Sequence, residues 1–455
     1  MKLFYRILIG FLVLFLILIY FFGIKYLQIS CDAGYYLAIA RDIANGNILF
    51  LDIFNVYAPL TFSYFSLFFR VNPNINYEFL VVGQIFLELT GGLAFFFLAK
   101  KLTDNTRVSI VSSLLFLIAE FYNEGYHIML EPMVLVFMLW ALVVLVYYPT
   151  RIGYLISGAL VGMAFLSKQY AIIGTVVIGS YILLNEKEWK FKILYSFFAA
   201  CAFLGIIGIY FGYKIYIQGI GSAAFFTQFF PSNIGHYDMN QNNFSNFISF
   251  VFSMQMLVYL APLALVLVFE NLKLLENKML ITIIIAHILF LAPLHVFQFI
   301  HYKILFLPYC FLLFAFLLNK VQKIKSISFV LSTGMIMIYL LMPIRGFSAF
   351  YHSGEKEAQY KLAAKLNEII PDTAKVALYS NEEQYYLANL KSCDLKKYSY
   401  AFITYLSDDK IYEKADYVIF DRIHIPDTNR LREVYDIHFF KDVEKEVFIY
   451  KKSAN

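Results

Sequence analysis

The stretch ILIGFLVLFLILIYFFG, residues 7–23, contains no charged side chain and follows Lys2 and Arg6. A helix of this length and composition can cross the hydrocarbon core of a bilayer. Its basic flank resembles that of a signal peptide, but no small-residue cleavage site follows. We therefore predict an uncleaved first membrane helix with a cytoplasmic N-terminus.

Similar apolar runs recur along most of the chain. Of the 455 residues, 60% are hydrophobic and 15% are charged, whereas soluble proteins carry about 25% charged residues. This excludes an ordinary soluble enzyme and predicts a polytopic α-helical membrane protein with about 11 transmembrane helices. The further predicted spans are 79–99, 108–122, 133–148, 153–167, 171–184, 193–216, 247–269, 279–300, 304–318 and 329–343.

The distribution of basic residues predicts the orientation. With the C-terminal tail and the recessed Lys168 left out, fourteen Lys and Arg fall in the predicted cytoplasmic loops and six in the outer loops. This bias obeys the positive-inside rule, and an odd number of spans places the C-terminus outside the cell membrane. The net charge of +5 belongs largely to these loops and does not indicate binding to nucleic acid.

The C-terminal part differs in composition. From Glu355 onward there are 16 basic and 18 acidic residues, about half of the 69 charges in the chain. A helical pattern at 355–370 is followed by strand-like VALYS, YVIFD and EVFIYK. We predict a transmembrane domain at 1–345 and a small soluble α/β domain on the outer side at 346–455. Cys31 and Cys393 would then both lie outside, where a disulfide between them stays an open alternative.

The first outer loop, residues 30–78, is the most informative segment. It begins SCDAGYYLAIARDIANGN, and Gly46 ends a predicted helix. Apolar residues recur in this helix at i, i+3, i+4 and i+7: Tyr36, Ile39, Ala40 and Ile43. The single stripe predicts an amphipathic juxtamembrane helix lying flat on the outer leaflet.

The apolar run at 53–71 is interrupted by Asn55 and Pro59. These residues leave a helix of about 12 residues, which is too short to cross the membrane. If the run crossed, the basic excess would reverse sides. We therefore predict a second helix at the outer surface.

Ionisable residues from distant parts of the chain converge on the same outer level: Asp32, Glu131, Lys168, His301 and Lys303. Such groups at membrane depth are costly and are functional candidates by default. Three of them also have a structural alternative. Asp32 would be a helix N-cap, Glu131 would cap the helix that starts at Pro132, and Lys168 would extend to the membrane surface.

One carboxylate and several cations at the outer leaflet suit the transfer of a sugar from a lipid phosphate to a hydroxyl acceptor. The carboxylate would accept the proton of the attacking hydroxyl, and the cations would stabilise the departing phosphate. A transporter or flippase of lipid-linked saccharides would also need outer-leaflet cations. However, it would usually show internal repeats, and none is apparent. A structural subunit would leave the converging charges unexplained.

The order of several motifs supports this interpretation. They are DAGYYLAIARDIANG from Asp32, Tyr57-Ala58-Pro59-Leu60 after Asp52, Leu130-Glu131-Pro132, GALVGMAFLSKQ around Lys168, and His301-Tyr302 before Pro308. In this order and spacing the first 345 residues resemble the C-type glycosyltransferase superfamily. The resemblance is in particular to bacterial membrane proteins related to protein O-mannosyltransferases and the lipid A aminoarabinose transferase.

The resemblance implies a polyprenyl-phosphate sugar donor, inversion at the anomeric carbon, and a hydroxyl acceptor in the cell envelope. It implies that Asp32 is the catalytic residue, that Glu131 is a second acid facing the same cavity, and that Lys168 binds the donor phosphate. It implies no certain cofactor and leaves a divalent metal open, since some relatives depend on one and others do not.

The family often has Pro-Pro-Leu where this chain has Ala58-Pro59-Leu60, so Arg41 becomes a substitute ligand of the donor phosphate. We predict His301 and Lys303 as further phosphate ligands. The residues predicted to line the acceptor cavity are Tyr35, Tyr57, His127 and Tyr302.

Overall fold

The computed structural model describes most of the chain. The described residues are 2–26, 28–55, 57–230, 253–270, 277–296, 300–322, 333–334, 336–339, 353–378, 383–392, 415–421, 435–441 and 446–452.

Helices dominate these residues. In chain order they are α1 (Lys2–Tyr26), α2 (Cys31–Ala44), α3 (Leu60–Val71), α4 (Tyr77–Thr103), α5 (Thr106–Glu120), α6 (Glu131–Tyr147), α7 (Arg151–Ser167), α8 (Ile173–Asn185), α9 (Trp189–Gly212), α10 (Ser222–Phe229), α11 (Met254–Glu270), α12 (Lys278–Val296), α13 (Leu307–Val321), α14 (Ser353–Ile369) and α15 (Glu383–Leu387). Irregular helical turns join several of them: π turns at Phe121–Gly125 and Tyr213–Ile217, and 3-10 turns at Gln169–Ile172 and Ile300–Leu305.

Among the described residues, four helices are long and apolar enough to cross a membrane by length and composition, and seven shorter helices are also apolar. A helix occurs in each predicted span from 7–23 to 304–318. The last predicted span, 329–343, lies largely outside the described residues, so the number of eleven stays a prediction. These helices fit a polytopic membrane protein.

Small residues allow close packing in this bundle. A Cβ atom added at Gly158 on α7 would lie 2.1 Å from the carbonyl oxygen of Ala199 on α9. The two backbones therefore approach more closely than any larger residue would permit. Such small-residue contacts are typical of helices that pack within membranes.

The segment predicted to be the first outer loop contains both predicted helices. The shorter is α3, which has 12 residues and begins directly after Pro59, as predicted. The environment predicted for α2 was wrong. Its residues from Ala33 to Ala40 are all buried, and so is Asp42. The short helix α15 of the C-terminal region packs against α2, so α2 is enclosed by protein instead of lying flat on lipid.

The C-terminal region contains a five-stranded mixed sheet with the order β2-β1-β3-β5-β4. The strands are β1 (Lys375–Leu378), β2 (Lys391–Ser392), β3 (Tyr417–Asp421), β4 (Tyr435–Lys441) and β5 (Glu446–Lys452). Strand β1 runs parallel to β2 and β3, and β5 runs antiparallel to β3 and β4. With α14 and α15, this sheet makes the described C-terminal residues a mixture of helices and strands, while the soluble outer domain stays a prediction. The predicted boundary at 345–346 lies outside the described residues.

Two carboxyl groups are buried within the helical bundle. Glu88 on α4 and Glu120 at the end of α5 are each 0% exposed. The Tyr20 hydroxyl on α1 donates a hydrogen bond to Glu88. Within the described part of the chain, neither carboxylate oxygen of Glu120 has a hydrogen-bond partner. Burying a polar group without a partner costs free energy, so Glu120 is a destabilising element of the bundle.

We therefore expect Glu120→Leu to stabilise the protein by about 1–3 kcal/mol, because it removes an unsatisfied buried group of similar size. Chemical unfolding in detergent micelles measures the change. Tyr20→Phe is the control, and it should destabilise, because it removes the donor to Glu88. A less stable Glu120→Leu protein would show that Glu120 stabilises the bundle and would contradict this interpretation.

Candidate functional site

A buried ion pair joins two helices at the centre of the candidate site. Lys168 Nζ donates to the carboxylate of Glu131, and the two side chains are 6% and 1% exposed. Glu131 is the first residue of α6, whereas Lys168 is the extended residue that ends α7. The structural alternatives are both wrong here: Lys168 does not extend to solvent, and Leu130 occupies the N-cap position of α6.

Two tyrosines complete the surroundings of this pair. The Tyr170 hydroxyl donates to Glu131 Oε1 at 2.9 Å. The Lys168 ammonium lies 4.4 Å from the centre of the Tyr302 ring and 5.0 Å from that of Tyr170. Burial opposes the charge of Lys168, but the neighbouring carboxylate of Glu131 outweighs burial and raises the pKa of Lys168. The pair therefore remains ionised, and an aromatic environment shields it from water.

Asp32 lies in the first turn of α2 and is half-buried. It is not the helix cap, because the Ser30 hydroxyl accepts the hydrogen bond from the Ala33 amide at 3.1 Å. Burial raises the pKa of the Tyr36 phenol, and the charges of Asp32 and Glu131 raise it further. The charges of both carboxylates thus raise the pKa of the same tyrosine, Tyr36. The structure brings Asp32 to the Glu131–Lys168 pair across about 100 residues of chain.

Lys303 and His127 form the neighbouring part of the site. Both are buried, with 4% and 5% of their surface exposed. Burial lowers the pKa of Lys303 to about 8, although the Glu124 carboxylate opposes the shift. Glu124 lies in the π turn after α5 with a positive φ of 70°, and this turn contacts the 3-10 turn that carries Lys303. The turn that carries Lys303 therefore packs against the turn that directly precedes Tyr126 and His127.

Other predicted residues have different surroundings. Arg41 donates to the carbonyl oxygens of Tyr385 and Leu390 at 3.1 and 3.3 Å, so its guanidinium binds the C-terminal region. We do not propose it as a phosphate ligand. The Tyr35 hydroxyl donates to Asn55 at 3.1 Å, and the Tyr35 ring lies 6.0 Å from that of Tyr57.

The backbone of His301 lies in the 3-10 turn, but its side chain lies outside the described part of the structure. The described residues contain no group of three or more His, Cys, Asp or Glu side chains that could hold a metal ion.

Two residues of the candidate site, and the two buried acids Glu88 and Glu120 of the bundle, were not predicted from the sequence. Tyr36 was assigned only to the apolar stripe of α2, and Tyr170 was not singled out. Neither is distinguishable in sequence from the many other aromatic residues, which make up 19% of the chain. Glu88 and Glu120 did carry a usable signal, because each is an isolated acid within an apolar run.

The buried pair makes a specific prediction for stability. Lys168→Met should destabilise by about 3–5 kcal/mol, because it leaves Glu131 buried without its counter-charge. Adding Glu131→Gln to Lys168→Met should recover most of this loss. Chemical unfolding of both proteins in the same detergent measures the difference. A cost below about 1 kcal/mol for the single variant would show that water reaches the pair.

Comparisons with known proteins show what this architecture resembles. No family model matches the chain, and no curated protein matches its sequence. Among solved structures, ArnT from Cupriavidus metallidurans in the apo state has a TM-score of 0.69 at 12% identity, with 97% of each chain covered. The same protein bound to undecaprenyl phosphate has a TM-score of 0.65 at 11% identity, again with 97% of each chain covered.

The archaeal oligosaccharyltransferase AglB from Archaeoglobus fulgidus, solved with an inhibitory peptide and a dolichol-phosphate, has a TM-score of 0.54 at 13% identity. The alignment covers 97% of this chain and 74% of AglB. At identities this low, the TM-scores establish a common fold alone. The predicted resemblance is thus confirmed at the level of architecture: the chain has the fold of the C-type glycosyltransferases ArnT and AglB.

Proposed function

We propose that this protein transfers a sugar from a polyprenyl-phosphate donor to a hydroxyl acceptor at the outer face of the cell membrane. The main support is the half-buried Asp32 carboxylate, which lies beside Tyr36 and close to the buried Glu131–Lys168 pair. The shared fold adds to this support, because ArnT and AglB were solved with undecaprenyl phosphate and dolichol-phosphate.

In the proposed reaction, Asp32 accepts the proton of the acceptor hydroxyl. The hydroxyl oxygen attacks the anomeric carbon from the side opposite the phosphate, so the configuration inverts. The bond between that carbon and the phosphate oxygen breaks, and its electron pair leaves with the polyprenyl phosphate. Of the two carboxylates, Asp32 is the better base because it is more exposed, whereas Glu131 is buried and paired with Lys168.

Cations beside the leaving group stabilise the charge that develops on it. Lys168 directs one N–H at Glu131 and another at Tyr302, and because an ammonium group has three N–H donors, one is left for the phosphate. Glu131 therefore positions Lys168 and is not a second base. Lys303, buried in the neighbouring turn, is the second candidate for binding the phosphate.

Asp32→Asn tests the base directly. Turnover should fall by about 10² to 10⁴, because the proton acceptor is lost. Binding of polyprenyl phosphate should be unchanged or slightly tighter, because one negative charge is removed. Release of polyprenyl phosphate from a lipid-linked sugar extract measures turnover, and a binding titration in nanodiscs measures affinity.

Full turnover by a folded Asp32→Asn protein would rule out this mechanism. Movement of the intact lipid-linked sugar between leaflets, without bond cleavage, would instead support the alternative of a transporter or flippase.

The pH dependence tests Lys303. A donor phosphodiester stays ionised from pH 6 to 10, whereas Lys303 loses its charge as the pH rises through its pKa of about 8. Donor binding should therefore weaken above this pH by up to the value of one charged hydrogen bond, about 1.5–3 kcal/mol. Titrations of the donor extract between pH 6 and 10 measure the effect. Lys303→Arg should remove the dependence because guanidinium remains charged. Wild-type binding that is constant up to pH 10 would exclude Lys303 from the phosphate site.

A further inference from the structure

The helix α14 of the C-terminal region lies along the short segment that joins α1 to α2. Lys356 Nζ donates to the Ile24 carbonyl at 2.7 Å and pairs with Glu78 at 2.8 Å. One turn later, the Gln359 amide binds the backbone of Ile29 twice. The Ile29 N–H donates to Gln359 Oε1, and Gln359 Nε2 donates to the Ile29 carbonyl, each at 2.9 Å.

The two bonds to Ile29 form a reciprocal pair. A side-chain amide has the same donor and acceptor arrangement as a peptide, so Gln359 pairs with Ile29 as a neighbouring strand would. Ile29 is 1% exposed and Gln359 is 8% exposed. Loss of the amide would therefore leave a buried N–H and a buried carbonyl without these partners.

Gln359 is held rigidly from the other side. It shares one face of α14 with Ala363 and Leu366, which are buried in a hydrophobic cluster that also contains residues of α2. The Gln384 amide donates to the Gln359 carbonyl at 3.2 Å. The packing of the C-terminal region thus fixes the position of the Gln359 side chain that binds Ile29.

We propose that Gln359 is a positioning residue for the Asp32 carboxylate. Ile29 precedes Ser30, whose hydroxyl caps α2, and Asp32 follows in the first turn of that helix. A displacement of Ile29 is therefore transmitted to Asp32 through the two residues between them. This inference rests on the proposed role of Asp32 as the base.

Arg41 supports the other end of the same helix. Its bonds to the carbonyls of Tyr385 and Leu390 lie near the end of α2, whereas the bonds of Gln359 precede its start. The C-terminal region therefore holds α2 at both ends. This arrangement fixes the direction of the helix as well as the location of its first turn.

Gln359→Ala removes both bonds to Ile29. We expect kcat to fall by about 10- to 100-fold, because displacements of about 1 Å at a reacting group have effects of this size. The affinity for polyprenyl phosphate should stay within about twofold, because no cation of the site is changed. Gln359→Glu keeps the acceptor for the Ile29 N–H but loses the donor to the carbonyl, so its kcat should be intermediate.

Tyr386→Phe is the matched control. The Tyr386 hydroxyl donates to the Ile75 carbonyl at 3.1 Å, so its loss weakens the same interface away from Ile29. Both Gln359→Ala and Tyr386→Phe should lower the thermal unfolding midpoint, but only Gln359→Ala should lower kcat. Equal losses of kcat in the two variants would reduce Gln359 to a general stabilising role and overturn the proposal.

Asp32→Asn in the same assay separates the two proposals. If Asp32→Asn abolishes turnover while Gln359→Ala and Gln359→Glu retain it fully, positioning by Gln359 is wrong and the proposed base stands. If Asp32→Asn retains turnover, the base itself is wrong and the positioning proposal fails with it.

Discussion

An unpaired charge is costly to bury where a chain meets hydrocarbon, and the pair of Lys168 and Glu131 satisfies this constraint by mutual neutralisation. The pair requires α7 to end where α6 begins, and it requires the extended conformation of Lys168. The two tyrosines that surround it come from the turns at Gln169–Ile172 and Ile300–Leu305. The geometry of the site thus follows from one electrostatic requirement, that the buried charges of Lys168 and Glu131 neutralise each other. Several helices contribute residues that satisfy it.

The three buried acids Glu131, Glu88 and Glu120 differ in the partners that their carboxylates have. Glu131 receives a cation and a hydroxyl, and Glu88 receives the Tyr20 hydroxyl. Glu120 has no hydrogen-bond partner among the described residues. The degree of compensation therefore differs even within one bundle, and the acid that has both a cation and a hydroxyl as partners lies where the proposed chemistry takes place.

The sequence predicted features that depend on local patterns. Apolar runs identified the helices, Pro59 identified the start of α3, and Lys168 identified the break between α7 and α8. The predicted fold class agrees with the solved structures that share the architecture. These features were accessible because helix length and interruption are encoded in neighbouring residues.

Features that depend on distant pairing were not predictable. Nothing near Lys168 indicates that its partner is Glu131, 37 residues earlier. The apolar stripe on α2 led to the prediction of a helix that faces lipid. The prediction was wrong because the C-terminal region, more than 300 positions later in the chain, packs against α2 as well. The same distance explains why Arg41 resembled a phosphate ligand: an exposed cation and a cation that binds distant carbonyls are identical in sequence.

The contact between Ile29 and Gln359 has a consequence for biosynthesis. The two residues are separated by 330 positions, and a ribosome adds about 5–20 residues per second. The loop that carries Asp32 is therefore synthesised roughly 15–70 s before Gln359, which binds this loop at Ile29. During this interval the nascent chain has its first membrane helices and its carboxylate, but it lacks the contact that orients α2. Assembly of the loop is thus delayed until the last quarter of the protein has been synthesised and has folded against it.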